Sequence, residues 1–156
     1  MIDAVKNLER CELRIASQKV SPQLISGAKN VSIAKLKSNN ELLQLYEWAD
    51  ALIVALKPNL HASGITVLQE ATLRGVPVIC SEVGGLPAYF SPEEVKYVRA
   101  QDVEAIRRAI REIGENDERR WASVKRAQNR MGSEGLSSQS YARRYVELSE
   151  ELLFGS

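Results

Sequence analysis

The sequence predicts an α/β fold, a parallel sheet covered by helices on both faces. Three observations carry this. Five short apolar runs are rich in β-branched residues, and segments with helical spacing of apolar residues lie between them. The order α-β-α-β-α-β-α-β that results is that of a parallel sheet with crossover helices. Finally, residues 51–56 (ALIVAL) are apolar throughout, as expected of a central strand buried on both faces.

The elements follow in order. Met1 begins inside a first helix, and residues 12–17 (ELRIAS) form the first predicted strand. Ser21-Pro22 starts a short helix with proline in its first turn. Residues 30–34 (NVSIA) are the next strand, after which Asn39 or Asn40 can cap ELLQLYEWAD, with Leu42, Leu45 and Tyr46 facing the sheet. The ALIVAL strand leads through a polar loop to a helix starting near Ile65 or Thr66. Residues 76–80 (VPVIC) and 95–99 (VKYVR) complete the strands, with Gly84-Gly85 turning the chain between them. In QDVEAIRRAIREIGEN, Val103, Ile106, Ile110 and Ile113 recur at helical spacing and Gly114 sits where a stop is expected. The Ser/Gly-rich hinge GSEGLSS precedes a tail helix striped by Tyr141, Tyr145, Leu148 and Leu152; residues 132–156 are hinge and C-terminal helix, and residues 1–156 one domain.

Composition narrows the classes. Hydrophobic residues at 44% and charged residues at 26% are ordinary for a globular chain, and a net charge of +1 gives no electrostatic footprint for nucleic acid. Basic residues collect in the last third, but acids alternate with them and no aromatics interleave, which describes solvated helix faces. Cys11 and Cys80 lie far apart without metal-type spacing, the pattern of two packed thiols in a reduced compartment. The start has no apolar core of signal-peptide length, and no window approaches the ~20 apolar residues of a spanning helix. The expected setting is cytoplasmic, with peripheral association at the inner face of a membrane open. No G-x-G-x-x-G follows a strand and no G-K-S or G-K-T occurs, so dinucleotide dehydrogenases and phosphate-loop NTPases are poor fits. Nor is there a nucleophile elbow, a metal-ligand cluster or a pair of catalytic carboxylates.

Chemistry concentrates in residues 48–85. Strand, polar loop, helix, strand and glycine turn bring a helix N-terminus and two strand ends to one sheet edge, where anionic ligands bind. Ser63, Gly64, Ile65 and Thr66 offer backbone N–H groups at the helix start, and Gly64 permits close backbone approach. The plain alternative is a βα loop with Ser63 as its cap. Gly84-Gly85 is a second close-approach turn at the same edge. Glu70, in the second helical turn, can accept hydrogen bonds from a ribose diol, or can be a surface glutamate favoured near a helix N-terminus. His61, the only histidine, can bond a sugar hydroxyl or phosphate and carry a proton as a tentative catalytic group; an exposed loop histidine is equally consistent. Lys57 can neutralise a phosphate or stand as a surface lysine.

WADALIVAL followed by QEATLRGVPVICSEVGG resembles the nucleotide-sugar segment of family-4 glycosyltransferases of the GT-B fold. Their pattern is a strand ending "ADVFVLPS", an acid, seven residues, a second acid, then "AMACGKPVVATDVGG". ELRIAS, NVSIA, NNELLQLYEWAD and RRYVELSEELL look like the surrounding elements of the same domain. The resemblance implies a Rossmann-like C-terminal half of a GT-B fold, holding a UDP- or GDP-sugar without a metal or other cofactor. It implies that Glu70 binds ribose, that Ser63 to Thr66 form the phosphate and sugar loop, and that the base lies near Lys35 and Leu36. Three departures stand out. The earlier acid falls on Ala62, or on His61 if one residue is inserted, and the acid that often follows the glycine pair is Ala88. The family's first strand, with its Arg and Lys, is not present, which leaves two strand edges to pair directly or to take a strand from another chain. The acceptor-binding domain is likewise expected from elsewhere, in cis or in trans. The function implied is retaining transfer of a hexose to an acceptor hydroxyl, with low activity for the chain alone; the alternative is a degenerate, non-catalytic scaffold or subunit-interaction module.

Overall fold

The computed structural model describes residues 1–17, 20–133 and 135–155. Among the described residues five strands run parallel, as predicted, but they form two sheets rather than one. β1 (Leu13–Ile15) pairs with β2 (Val31–Ile33), with Leu13 opposite Val31. β3 (Leu52–Val54), β4 (Val78–Ser81) and β5 (Lys96–Val98) make the second sheet in that order. The central strand is therefore β4, whose four residues are all buried. The ALIVAL strand is an edge strand, half-buried along its length, because a partner lies on one side only.

Hydrogen bonding shows where the sheets end. Leu13 N–H donates to the Asn30 carbonyl at 2.9 Å, and the Ile15 carbonyl accepts from Ala34 N–H at 3.0 Å. Alternation along a parallel ladder then turns the Arg14 backbone groups away from β2. Likewise Leu52 N–H donates to the Pro77 carbonyl at 2.9 Å and Leu56 N–H to Ser81 Oγ at 3.1 Å, so Ile53 and Ala55 face away from β4. Among the described residues no ladder joins β1 to β3, so direct pairing of these edges does not occur.

Side chains join the two sheets instead. α1 (Ile2–Val5) and α5 (Val103–Glu115) cover one face, where Ala4, Val5 and Ile106 form a core with Leu13 from one sheet and Ile53, Ile79 and Val98 from the other. The Asn30 amide donates to the carbonyls of Val5, Leu8 and Cys11, fixing the turn from α1 to β1. The Arg14 guanidinium lies 3.9 Å from the Trp48 ring centroid, a cation–π contact between β1 and the end of α2 (Asn39–Trp48). On the other face α2, α3 (Ile65–Leu73) and α6 (Asp117–Ser133) supply Tyr46, Leu68, Ala71 and Ala127 to a core with Val78 and Cys80. Alternate residues of β4 thus serve opposite cores, the period-2 rule of a strand.

Several helix ends differ from expectation. α2 is capped by Ser38, whose Oγ accepts from Glu41 N–H, rather than by Asn39 or Asn40. Ser21-Pro22 opens a 3₁₀ turn over Pro22–Ile25. Gly114 lies inside α5, which stops at Asn116 immediately before α6. α6 runs through Ser133 and α7 (Ser138–Phe154) starts at Ser138, which shortens the predicted hinge at both ends; Glu134, within it, lies outside the described residues. A short α4 (Leu86–Tyr89) follows the glycine turn. α7 has no buried residue, so Tyr141, Tyr145, Leu148 and Leu152 form an uncovered stripe. Both cysteines are free thiols, Cys80 fully buried and Cys11 half-buried. Many basic side chains of the last third sit beside acids, as in Arg107–Glu104, Arg120–Asp117 and Arg130–Glu94. No helix among the described residues is long and apolar enough to cross a membrane.

Candidate functional site

Parallel strands place their C-terminal ends on one edge, and the loops after β3 and β4 meet there. Gly64 begins α3 with φ +86°, a left-handed conformation that L side chains avoid. A Cβ at that position would lie 3.0 Å from Val54 Cγ1, so glycine lets the helix start directly against the strand it follows. Ser63 does not cap the helix. The Ile65 N–H is occupied, donating to the Ala62 carbonyl at 3.1 Å. Among the described residues the N–H groups of Ser63, Gly64, Thr66 and Val67 have no partner. Three of the four predicted amides are therefore available, and Val67 replaces Ile65 as the fourth.

The glycine pair plays a different part from the one predicted. Gly84 has φ +58°, and a Cβ there would fall 1.8 Å from the His61 carbonyl oxygen. That carbonyl accepts from Gly85 N–H at 3.3 Å, while Asn59 Oδ1 accepts from His61 N–H at 2.9 Å. The space that Gly84 leaves is filled by the opposite loop's backbone, so the turn clasps the loop rather than opening to a ligand. The His61 side chain remains exposed beside it, as does Lys57. Lys35 and Leu36 follow β2 in the other sheet, and among the described residues no hydrogen bond or ion pair joins them to α3 or its loop.

Glu70 is half-buried and does not stand free. Its Oε2 accepts a hydrogen bond from the Tyr46 hydroxyl at 3.0 Å. Tyr46 is only 7% exposed. Burial above all, and then the hydrogen bond to Glu70 and its charge, push the Tyr46 hydroxyl's pKa up, so it stays a donor. Glu70 also borders a cleft of about 500 Å³ between α3, α6 and the start of α7, lined among others by Thr66, Gln69, Leu73, Gln128 and Met131. Of the predicted residues, the cleft brings together Thr66 and Glu70. A larger, open hollow of about 780 Å³ runs along α7 alone and touches none of them. No cluster of metal-ligating side chains occurs among the described residues.

Two contributors escaped the sequence analysis. Tyr46 was expected to face the sheet, and it does, but its hydroxyl needs a partner when buried; that need was the available signal. Asn59 braces the loop through both ends of its amide, donating to the Lys57 carbonyl at 2.9 Å while accepting from His61. Its place two residues after Lys57 in a Pro-Asn turn was the clue.

Residues 23–130 match the family described as Glycosyl transferases group 1. The chain belongs to this family. Among curated proteins none matches it. Of solved structures, the fold is similar to a sucrose-phosphate synthase from Thermosynechococcus elongatus, at 22% identity and a TM-score of 0.80, with 99% of this chain over 42% of that one. A glycosyltransferase from Rickettsia africae gives 18% identity and 0.80, with 99% over 44%. The Anabaena protein HepE, solved in complex with UDP-glucose, gives 18% and 0.58, with 69% over 29%. These likenesses support the GT-B type of α/β architecture. The chain spans less than half the length of each of these three proteins.

Proposed function

We propose that this family member is the nucleotide-sugar-binding domain of a retaining family-4 transferase, moving a hexose from a UDP- or GDP-sugar to an acceptor hydroxyl. The carrying observation is the set of unpartnered amides at the start of α3, one to two turns from the cleft-lining carboxylate of Glu70. Those amides and the helix dipole suit a diphosphate, and the carboxylate suits ribose hydroxyls. His61 and Lys57, both exposed on the loop between β3 and α3, suit the sugar and the phosphate charge. In this reading the anomeric C–O bond breaks with its electron pair going to the diphosphate, the acceptor oxygen bonds to the same face of the sugar, the acceptor's hydroxyl proton passes to the leaving diphosphate oxygen, and amides and cations stabilise the leaving charge. A second domain, in cis or in trans, would supply the acceptor wall. A cytoplasmic setting at or near a membrane's inner face belongs to the same proposal.

Titration calorimetry with UDP and GDP tests it. Glu70→Ala should lose ~1.5–3 kcal/mol, tenfold or more in Kd, as expected for hydrogen bonds to a charged group. Unchanged affinity removes the ribose role. A non-catalytic scaffold is the second reading, favoured by Ala62 at the position of the earlier acid and by the clasp of Gly84 on His61. A scaffold gives no saturable heat with either nucleotide.

A further inference from the structure

We infer that the seam between β1 and β3 is a docking slot for one extended segment of a separate polypeptide, which enters as a parallel strand and pairs with both sheets. The backbone carries the inference, independently of what α3 binds. Arg14 lies between two residues whose backbone groups serve β2, and Ile53 and Ala55 turn theirs away from β4. Each strand thus presents an unused half-ladder to the seam. Both half-ladders border one core, where Leu13 and Ile53 pack with Ala4, Val5 and Ile106 beneath α1 and α5. Arg14, directed to the opposite face by the pleat, lays its guanidinium 3.9 Å from the Trp48 ring centroid. Backbone N–H and C=O groups held between such layers need partners.

The chemistry of the occupant follows from its neighbours. A strand x between the sheets gives the order β2-β1-x-β3-β4-β5, which reverses direction at x as in a doubly wound parallel sheet. It would stand ~4.8 Å from each neighbour, and about five residues span an ordinary strand. Its side chains on the α1 and α5 face meet apolar groups, so β-branched aliphatic residues fit there and charged ones do not. Successive N–H groups of the occupant serve β1 and β3 in turn, whereas pairing at a single edge uses only every second one. A second copy has no strand to spare, since each of its strands among the described residues already belongs to a ladder.

The test is hydrogen exchange read by NMR on the whole chain, with a synthetic peptide of consecutive Val and Ile residues flanked by lysines. Saturating peptide should slow exchange of the Arg14 and Ile53 amides together, by about tenfold or more. Two further peptides each carry one N-methyl group, on one or the other of two adjacent central residues. Each should bind about tenfold more weakly, because each loses a hydrogen bond to a different sheet. Protection of only one of the two amides, or indifference to either N-methyl group, reduces the slot to an ordinary edge and overturns the inference. It is also overturned by binding that leaves both amides fast, or by no saturable binding up to ~1 mM. Amides already slow without peptide overturn it too: a concentration-dependent mass would then show a second copy closing the seam, and a constant mass direct pairing of β1 with β3.

Discussion

Replacing Gly84 with alanine tests the clasp between the two loops. The added Cβ would sit 1.8 Å from the His61 carbonyl oxygen, at a residue whose φ is +58°. Left-handed backbone costs an L-residue ~1–2 kcal/mol. Relieving the overlap must also part the loops and break the Gly85–His61 hydrogen bond, a further ~0.5–1.5 kcal/mol. The sum is about 1.5–3.5 kcal/mol, a large share of the ~5–15 kcal/mol that holds a domain together. Gly75 is the control: its φ is +76°, and a Cβ there meets nothing within 4 Å, so Gly75→Ala carries only the backbone cost. Urea unfolding of both variants isolates the contact as the difference between them. If Gly84→Ala is no more destabilised than Gly75→Ala, the clasp contributes nothing and the geometric argument is wrong.

Two further predictions concern the sheets and the buried thiol. Hydrogen exchange read by NMR should find the Arg14 and Ile53 amides fast and those of Leu13 and Leu52 slow, since only the latter pair with a neighbouring strand; equal protection would mean that β1 and β3 are joined. Burial pushes the Cys80 thiol from 9.0 up to about 12. The unfolded chain then loses this proton first as pH rises, so stability is full below pH 9 and falls between pH 9 and 12, by at most ~1.4 kcal/mol per pH unit. Cys80→Ala should lessen the fall between pH 9 and 10, leaving the part due to Cys11, whose thiol burial also raises, and an unchanged slope in urea unfolding would refute this.

Much of the architecture could be read from residue patterns because strands and crossover helices write their periods locally. VPVIC and ALIVAL look alike as strings, yet one is a central strand and the other an edge. That difference is set by what lies beside the strand in space, which no local period records. The cap of α2 is legible in the sequence, since Ser38 and Glu41 are spaced as in a capping box, but Asn39 and Asn40 that follow are equally good cap types. At the site, Gly64 and the start of α3 followed from the loop's composition. The contact of Gly84 with His61 spans a helix and a strand, so the glycine's purpose could not be told from its neighbours. Tyr46 was assigned by its apolar ring, and its hydroxyl's partner waited on the packing of α2 against α3.

The seam between β1 and β3 has a mechanical consequence. Backbone hydrogen bonds across a continuous sheet fix register and make its strands unfold together, whereas the apolar side chains packed under α1 and α5 join the two sheets without such a ladder. The first third of the molecule is thus moored to the rest, and Lys35 and Leu36 ride on that moored part while Glu70 and the α3 amides ride on the other. Whatever spans both would have to draw two bodies into register.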